Sequence, residues 1–300
     1  MIKVIGSINL DLTATVGRLP RPGETVPGDG FSTAPGGKGA NQALAARRAG
    51  SKVKMIGAVG TDAFAEQATA LLKHGGVDLD AVRASGDATG IAVILVEKAG
   101  ENVIAIIPGG NAAVSHEDVA DAAVAQGDHV VLQLEIPMET VRASLEASRA
   151  AGAVSLLNTA PFRQEAAEFL ELADYVIANE TDFDLYAETL ALTGGDRENR
   201  IRDFAARTGR TIVVTLGADG VVAASTSEFY RAKGLKITPV DTVGAGDTFC
   251  GYFAASLGAG HDLPTALRRA AVAGSLACLK PGAQPSIPTA AEVDAALAAN

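Results

Sequence analysis

Residues 53–76, VKMIGAVGTDAFAEQATALLKHGG, join a short apolar run to a longer segment of helical period. The run at 53–60 is typical of a buried strand, and residues 62–76 repeat apolar side chains at the three- and four-residue spacing of a helix. The same order occurs upstream, where KVIGS (3–7) precedes ANQALAARRAG (40–50). Two such pairs predict a β-α-β-α arrangement.

The alternation resumes in the second half of the chain. It runs through HVVLQLE (129–135), METVRASLEASRAAG (138–152), VSLLN (154–158), QEAAEFLELA (164–173), YVIANE (175–180) and TIVVTLG (211–217). This pattern predicts an α/β fold of three layers, α/β/α, with a mainly parallel central sheet covered by helices on both faces. Residues 12–35 and 90–107 lack helical period and predict strands of a small separate β-sheet, with a Gly-containing turn inside 90–107.

Composition favours one large domain over residues 1–300, because 300 residues with 48% hydrophobic content are ample for a single core. A net charge of −10 disfavours nucleic-acid or anionic-membrane partners, except where positive groups gather locally. Two cysteines, Cys250 and Cys278, are too few for a disulfide scaffold, and no secretion or membrane-spanning segment is evident. We therefore expect a cytoplasmic protein.

Polar residues and a glycine recur where predicted strands end. They are Asn9, Asp11, Glu135, Asn158, Asn179, Thr215 and Gly217. Each alone is consistent with an ordinary loop residue or helix cap. Because the carboxyl edge of an open parallel sheet is where ligands bind, the set together predicts a binding edge.

Two glycine clusters precede helix-like segments. Gly244-Ala245-Gly246 leads into GDTFCGYFAASLG (246–258), and its bare amides suit an anion at a helix start. Asp247 could simply cap that helix, but a carboxylate beside an anion also suits proton removal from a hydroxyl during phosphoryl transfer. The second cluster, PGGKGANQA (35–43), suits a clamp for an oxygen-rich ligand, or a plain Gly-rich turn.

Seven segments together resemble one known family. They are GSINLD (6–11), GGKGANQA (36–43), GENVIAIIPGGNAAV (100–114), ANET (178–181), TLGADG (215–220), DTVGAGDTF (241–249) and KPGAQPSIP (280–288). In this order and spacing they closely resemble the ribokinase-like (phosphofructokinase B-type) carbohydrate kinases over nearly the whole chain. DTVGAGDTF is specific to the family at large, whereas GGKGANQA and GENVIAIIPGGNAA favour its D-ribose-phosphorylating branch.

The resemblance implies an ATP-dependent sugar kinase that transfers the γ-phosphate to the 5-hydroxyl of D-ribose. It implies sugar binding by Asn9, Asp11, Gly37, Lys38, Gly39, Asn41 and Glu135, with Asp247 as general base and Gly244, Ala245 and Gly246 as anion hole. It implies nucleotide binding along Asn179, Asp182, Thr215, Gly217, Gly220, Gly246 and Ala271. It also implies potassium binding, mostly by backbone carbonyls, at Asp241, Val243, Ala277, Lys280, Gly282 and Ser286. Apart from the resemblance, PGAQPS is typical of a simple turn.

One motif departs from the family. The family's Asn-x-x-Glu, associated with magnesium and phosphate, appears here as NETD, with Asp182 in place of Glu. The negative charge is kept, and the side chain is one methylene shorter. We expect Asp182 to act on Mg²⁺ through an extra water, or Glu180 to share the role, and we favour Asp182.

The strands within 12–35 and 90–107 are expected to form a lid over the sugar. Their apolar runs, IAVILV and VIAII, exceed what one thin sheet can hide, so we expect a homodimer through two lids. Deoxyribose, another pentose, fructose or a nucleoside such as adenosine remain alternative substrates. A non-catalytic sugar- or nucleotide-binding regulator is the alternative from another class.

Overall fold

The computed structural model describes residues 1–97 and 101–299. The strands are β1 Ile2–Ile5, β2 Asn9–Val16, β3 Gly28–Gly36, β4 Val53–Val59, β5 Asp78–Ala84, β6 Gly90–Glu97, β7 Asn102–Ile107, β8 His129–Leu132, β9 Val154–Asn158, β10 Tyr175–Asn179, β11 Thr211–Thr215, β12 Val221–Ala224 and β13 Phe229–Ala232. The helices are α1 Lys38–Arg48, α2 Ala63–His74, α3 His116–Asp121, α4 Met138–Ala151, α5 Glu180–Thr189, α6 Arg197–Thr208, α7 Ala245–Gly258, α8 Leu263–Ala277, α9 Ala283–Ser286 and α10 Ala290–Ala298.

The larger sheet has, within those residues, nine strands in the order β13-β12-β11-β10-β9-β8-β1-β4-β5. In this order, every pair of neighbours from β11 through β10, β9, β8, β1 and β4 to β5 is parallel. At the other end of the sheet, β12 and β13 add an antiparallel edge. The sheet is covered by apolar layers on both faces, with α1, α2, α7, α8 and α10 on one face and α3 to α6 on the other. The predicted three-layer α/β/α fold is confirmed.

Burial on both faces explains why the central strands are continuously apolar. All four residues of β1 are buried, as are the last three of β8. A strand covered by helices on both sides has no solvent face, so an alternating pattern would place polar groups in the core. The same arrangement directs the carboxyl ends of β1, β8, β9, β10 and β11 to one edge of the sheet.

A second sheet, the lid sheet, consists of β2, β3, β6 and β7 in the order β3-β2-β6-β7. Strand pairing extends past the predicted stretch 12–35 at both ends, because Asn9 pairs with both Gly36 and Gly90. Strands β6 and β7 lie inside 90–107, and part of the Gly-containing turn predicted there, residues 98–100, lies outside the described residues.

Two local features differ from the sequence pattern. QEAAEFLELA, which has helical period, forms a 3-10 segment at Gln164–Leu172 rather than an α-helix. The antiparallel edge strands β12 and β13 were not predicted. In the part of the chain that the structure describes, every helix is too short or too polar to traverse a bilayer.

Candidate active site

The first turn of α1 is packed directly against the end of β1. Its N-cap, Gly37, has φ of +88°, and a Cβ there would lie 2.7 Å from the Asn9 nitrogen and 2.9 Å from the Ser7 carbonyl oxygen. Only glycine fits both the backbone angle and this contact. The close approach brings Lys38 and Asn41 beside the strand that carries Asn9.

The first turn of α7 has the same design. Gly244 is its N-cap in the left-handed conformation, and a Cβ there would lie 2.8 Å from Ala283. Thr248 N donates to Gly244 O at 2.8 Å, and Ala245 N donates to Thr242 O at 3.3 Å. The N–H groups of Gly246 and Asp247 precede the helical hydrogen-bond pattern, so they lie at the positive end of the helix, where an anion is stabilised.

Asp247 joins these two helix starts. Its side chain is buried, and Asn41 Nδ2 donates to Oδ2 at 2.8 Å while Gln42 Nε2 donates to Oδ1 at 2.9 Å. Both donors come from α1. The carboxylate is therefore fixed in place from the helix that begins at the predicted sugar clamp.

Two further carboxylates and one cation share this site. Glu135 accepts from Ser7 Oγ at 2.5 Å and from Lys38 N at 3.1 Å. Burial, assisted by the negative charges of Glu135 and Asp247, raises the pKa of Asp11 to about 6. The charge of Asp247, and secondarily that of Glu135, raises the pKa of Lys38 although burial opposes this, so the ammonium stays charged.

The predicted sugar residues carry oriented hydrogen-bonding groups. Asn111 Nδ2 donates to Asn9 Oδ1 at 2.6 Å, while Asn111 Oδ1 accepts from Ile8 N at 2.8 Å. This orientation leaves Asn9 Nδ2 as the outward group of that side chain. Asn41 Oδ1 is buried without a hydrogen-bond partner among the described residues, so a polar ligand group would satisfy it.

A cavity of about 120 Å³ lies between the two helix starts. Its lining includes Lys38, Asn179, Gly244, Gly246 and Asp247. Thr215, Gly246 and Asn179 also line a neighbouring cleft of about 820 Å³. Asp247 thus lines a small chamber that adjoins a much larger cleft.

The larger cleft contains most of the predicted nucleotide residues. Its lining includes Asn179, Thr215, Gly217, Gly220, Gly246 and Ala271. Apolar side chains of Leu235, Ile237 and Phe249 provide other walls. A cleft of this size with apolar walls and a few polar groups suits a drug-sized or nucleotide-sized ligand.

Asp182 and Glu180 have different surroundings. Asp182 is buried in the first turn of α5, where it accepts from Asn179 Nδ2 at 2.8 Å and its own N–H donates to Asn179 Oδ1 at 2.8 Å. Burial raises the pKa of Asp182, with the charge of Lys38 opposing the shift. Glu180 instead pairs with Arg197 at 2.6 Å near the surface.

The predicted potassium residues come from two segments that meet beside α7. Val240 N donates to the Cys278 carbonyl oxygen at 2.8 Å, and Gly282 N donates to Asp241 Oδ2 at 2.8 Å. The side chain of Lys280 pairs with Glu292 of α10, with Nζ 3.3 Å from Oε1. In the described residues, no cluster of three or more His, Cys, Asp or Glu side chains could hold a metal.

Comparison with known proteins decides the family. The sequence matches the pfkB family carbohydrate kinases over residues 1–290. The chain belongs to this family. The resemblance seen in the sequence motifs is confirmed.

Individual pfkB family members align over almost their full lengths. A ribokinase of Lactococcus lactis is 38% identical over 299 residues, which cover 99% of this chain and 96% of the relative. The ribokinase structure of Thermotoga maritima has a TM-score of 0.92 at 30% identity and covers 99% of both chains. Ribokinase of Arabidopsis thaliana, solved with ribose and ATP, has a TM-score of 0.87 at 30% identity over 99% of this chain and 98% of that one.

Three side chains of the site were missed in the sequence. Gln42, Gln133 and Asn111 are all buried and all hydrogen-bonded to predicted site residues or to one another. The available signal was a polar residue inside an apolar run, as in VVLQL, or beside a predicted ligand, as in GANQA. A buried polar side chain is usually hydrogen-bonded, so each of these three residues pointed to a partner inside the fold.

Proposed function

We propose that this protein is an ATP-dependent ribose kinase that transfers the γ-phosphate of ATP to the 5-hydroxyl of D-ribose. The observation that carries the proposal is the position of Asp247. Its carboxylate lies in the first turn of α7, in the wall of the 120 Å³ cavity, next to the amides of a helix start. A base for a hydroxyl and a site for a phosphoryl anion therefore share one small chamber.

The sugar would bind among Asn9, Asp11, Lys38, Asn41 and Glu135, with Gly37 and Gly39 allowing close approach of the backbone. These groups supply carboxylate acceptors, amide donors and an ammonium, which together match the alternating donors and acceptors of sugar hydroxyls. The partnerless Asn41 Oδ1 supports this assignment, because a buried acceptor without a partner is unfavourable until a ligand supplies a donor.

The nucleotide would lie in the 820 Å³ cleft, along Asn179, Thr215, Gly217, Gly220 and Ala271. The apolar walls suit the faces of a purine base. The triphosphate would then extend toward Gly246, where the two cavities meet. The relative from Arabidopsis thaliana, solved with ribose and ATP, supports both ligands.

In the proposed step the sugar hydroxyl oxygen attacks the γ-phosphorus, and its proton passes to Asp247. The bond from the γ-phosphorus to the bridging oxygen breaks, and ADP leaves. The amides at Gly244 to Gly246, at the positive end of α7, would stabilise the transferring group. Alignment of the reactants supplies roughly 7–11 kcal/mol in such reactions, more than the ~3–5 kcal/mol expected of a positioned base.

Two metal ions are part of the proposal. Mg²⁺, which neutralises charge on the β- and γ-phosphate oxygens when bound, would be held through Asp182, by way of water, and by the phosphates themselves. Asp182 is preferred to Glu180 because it is buried and faces Lys38, whereas Glu180 is paired with Arg197. K⁺ would bind at Asp241, Val243, Ala277, Lys280, Gly282 and Ser286, since the two segments meet there.

We further propose that the protein is a cytoplasmic homodimer whose two copies pack against each other through their lid sheets. Val103, Ile104, Ile106 and Ile107 of β7 are between 44% and 54% exposed, and Phe31 of β3 is 71% exposed. A run of large apolar side chains on an edge strand is unfavourable in water and favours pairing with a second copy.

The test is ADP production from ATP with D-ribose, 2-deoxyribose, another pentose, fructose and adenosine, each with and without potassium. We expect D-ribose to give the highest kcat/KM, and Mg²⁺ to be required. A protein whose melting temperature rises with sugar or nucleotide, but which forms no ADP with any of them, would be a binding regulator instead. Preference for another acceptor would keep the kinase proposal and replace its substrate.

A further inference from the structure

Gln42 follows Asn41 in α1 but is fully buried and does not line the cavity. Its Nε2 donates to Asp247 Oδ1 at 2.9 Å and to Asn158 Oδ1 at 3.2 Å. Asn41 Nδ2 donates to the other oxygen of Asp247 at 2.8 Å. Each oxygen of the carboxylate therefore has one amide donor, and the two donors come from adjacent residues of one helix.

Gln133, also fully buried, fixes the direction of the Gln42 amide. Its Nε2 donates to Gln42 Oε1 at 2.8 Å. A reversed Gln42 amide would turn its oxygen toward the oxygens of Asp247 and Asn158, and its nitrogen toward the nitrogen of Gln133. The negative charge of Asp247 thus sets the direction of the whole chain of hydrogen bonds.

This chain of hydrogen bonds ends at an acceptor that has no donor. Gln133 Oε1 is buried without a hydrogen-bond partner among the described residues. A lone buried acceptor is unfavourable, and the fold retains it in an orientation that serves Gln42. This favours a role for the chain beyond packing.

We propose that Gln42 and Gln133 are positioning residues for Asp247, an inference that rests on the proposed role of Asp247 as base. Gln42 donates to Oδ1 and Asn41 donates to Oδ2, so the two amides together fix the plane of the carboxylate, and Gln42 does so from outside the cavity lining. The donated hydrogen bond also stabilises the ionised carboxylate, which is the form able to accept a proton. Gln133 acts one step further away, through Gln42.

The first test is Gln42→Met, which keeps length and volume and removes the donor. We expect kcat to fall about 10–100-fold, the usual effect of losing one hydrogen bond to a charged group or an outer partner of a reactive group. The KM for D-ribose stays close to its original value, because Gln42 is hydrogen-bonded to the base Asp247, to Asn158 and to Gln133 and to none of the other residues proposed to hold the sugar. The shape of the kcat–pH profile changes as well, which a role confined to packing would not cause.

Gln133→Met is the second test, and it decides the matter if Gln42→Met does not fold. We expect a smaller fall in kcat, again with the KM for D-ribose close to its original value. The double variant should be no slower than Gln42→Met alone, since Gln133 acts through Gln42. If the losses in kcat of the two single variants add in the double variant, Gln133 acts independently of Gln42, and its assigned role is overturned.

Thr140→Val is the matched control. Thr140 is buried in α4, on the opposite face of the sheet, and its Oγ1 donates to Val114 O at 2.8 Å. This variant loses one buried hydrogen bond without touching the site, so its melting temperature falls while kcat and the pH profile stay unchanged.

The two proposals fail separately. If Asp247→Asn is inactive while folded Gln42→Met and Gln133→Met keep the original kcat and pH profile, the positioning role is overturned. If Asp247→Asn itself turns over at a near-normal rate, the base role fails and takes this inference with it.

Discussion

Asp247 is the residue on which the proposed chemistry depends, and Asp247→Asn is its direct test. The change keeps the shape of the side chain but removes its basicity, so we expect kcat to fall about 10²–10⁴-fold with folding retained. Steady-state kinetics and circular dichroism measure the two effects. A folded variant with near-normal turnover would remove Asp247 from the role of base.

Asp11 is held in the fold against its own charge. Its pKa is about 6 in the folded protein against an ordinary value of 3.8, so the folded state binds the proton more tightly than the unfolded state. The stability that this provides is complete below pH 3.8 and is lost as the pH rises through 6. Ionised Asp11 therefore destabilises the protein at neutral pH.

Asp11→Asn should accordingly stabilise the apoprotein at pH 7.5, by up to about 3 kcal/mol. The advantage should shrink toward pH 4, where Asp11 is protonated in the folded state. Urea unfolding of both proteins at the two pH values measures the difference. A gain in stability of equal size at both pH values would show that the charge of Asp11 is not its cause. The affinity of Asp11→Asn for sugar should fall at both pH values.

The sequence predicted the charged residues of the candidate site and missed the neutral ones hydrogen-bonded beside them. Asp247, Lys38 and Glu135 were predicted because they stand next to glycine clusters or at strand ends, although each alone could also be a helix cap or a loop residue. Gln42 and Gln133 were not, because a buried amide has meaning only through its partner. That partner is 205 residues away for Gln42.

Helices α1 and α7 pack more closely than a side chain at residue 251 would allow. This contact holds together the two helix starts that form the candidate site. A Cβ at Gly251 would lie 2.5 Å from both the Ala45 Cβ and the Gln42 carbonyl oxygen. Backbone atoms cannot give way as a flexible side chain can. The distance between the helices is therefore set by the absence of a methyl group at residue 251.

Gly251→Ala should destabilise the protein by about 1–3 kcal/mol, because the two helices must separate. The result is informative because alanine is the better helix former by about 1 kcal/mol, so propensity alone predicts the opposite sign. Thermal and urea unfolding measure the change. Gly195→Ala is the control, since a Cβ there meets no atom within 4 Å; a stabilised Gly251→Ala would contradict the close contact.

Among the elements, those with uniform surroundings were predictable. The central strands and amphipathic helices follow the period of their burial, and β1, β4, β8 and α2 were read directly from it. Strands β12 and β13 were missed because each has four residues, too few to show a period. Val221–Ala224 is fully buried between its two neighbours, whereas Phe229–Ala232 is the edge strand and is largely half-buried. Gln164–Leu172 has helical period, which a 3-10 segment with one buried side also shows.

At the scale of the whole molecule the lid sheet determines the proposed dimer. Asp11 pairs with Ala92, and Ala92 pairs with Ile106, so Ile104 and Ile106 share the sheet face that carries Asp11. Both isoleucines are at least half exposed. The apolar surface is thus continuous with the surface that carries Asp11.

Ile104→Glu should therefore weaken the dimer, because each copy would bring a charge into an apolar contact. We expect at least a tenfold rise in the dimer dissociation constant, measured by analytical ultracentrifugation. Leu185→Glu, at a 38% exposed apolar residue of α5, should leave assembly unchanged. An original protein that is monomeric at working concentration would reject the dimer outright.

Strand β2 runs from Asn9 to Val16 within the lid sheet, and Asp11 is its third residue. A rotation of the lid must therefore withdraw or advance that carboxylate by the same motion. If the lid sheet closes over the sugar, as the sequence predicts, the closing sheet and Asp11 move together, so a sugar that pairs with Asp11 would favour closure through that contact. An acceptor lacking the matching hydroxyls should lose turnover as well as affinity, because the enzyme would remain open to water.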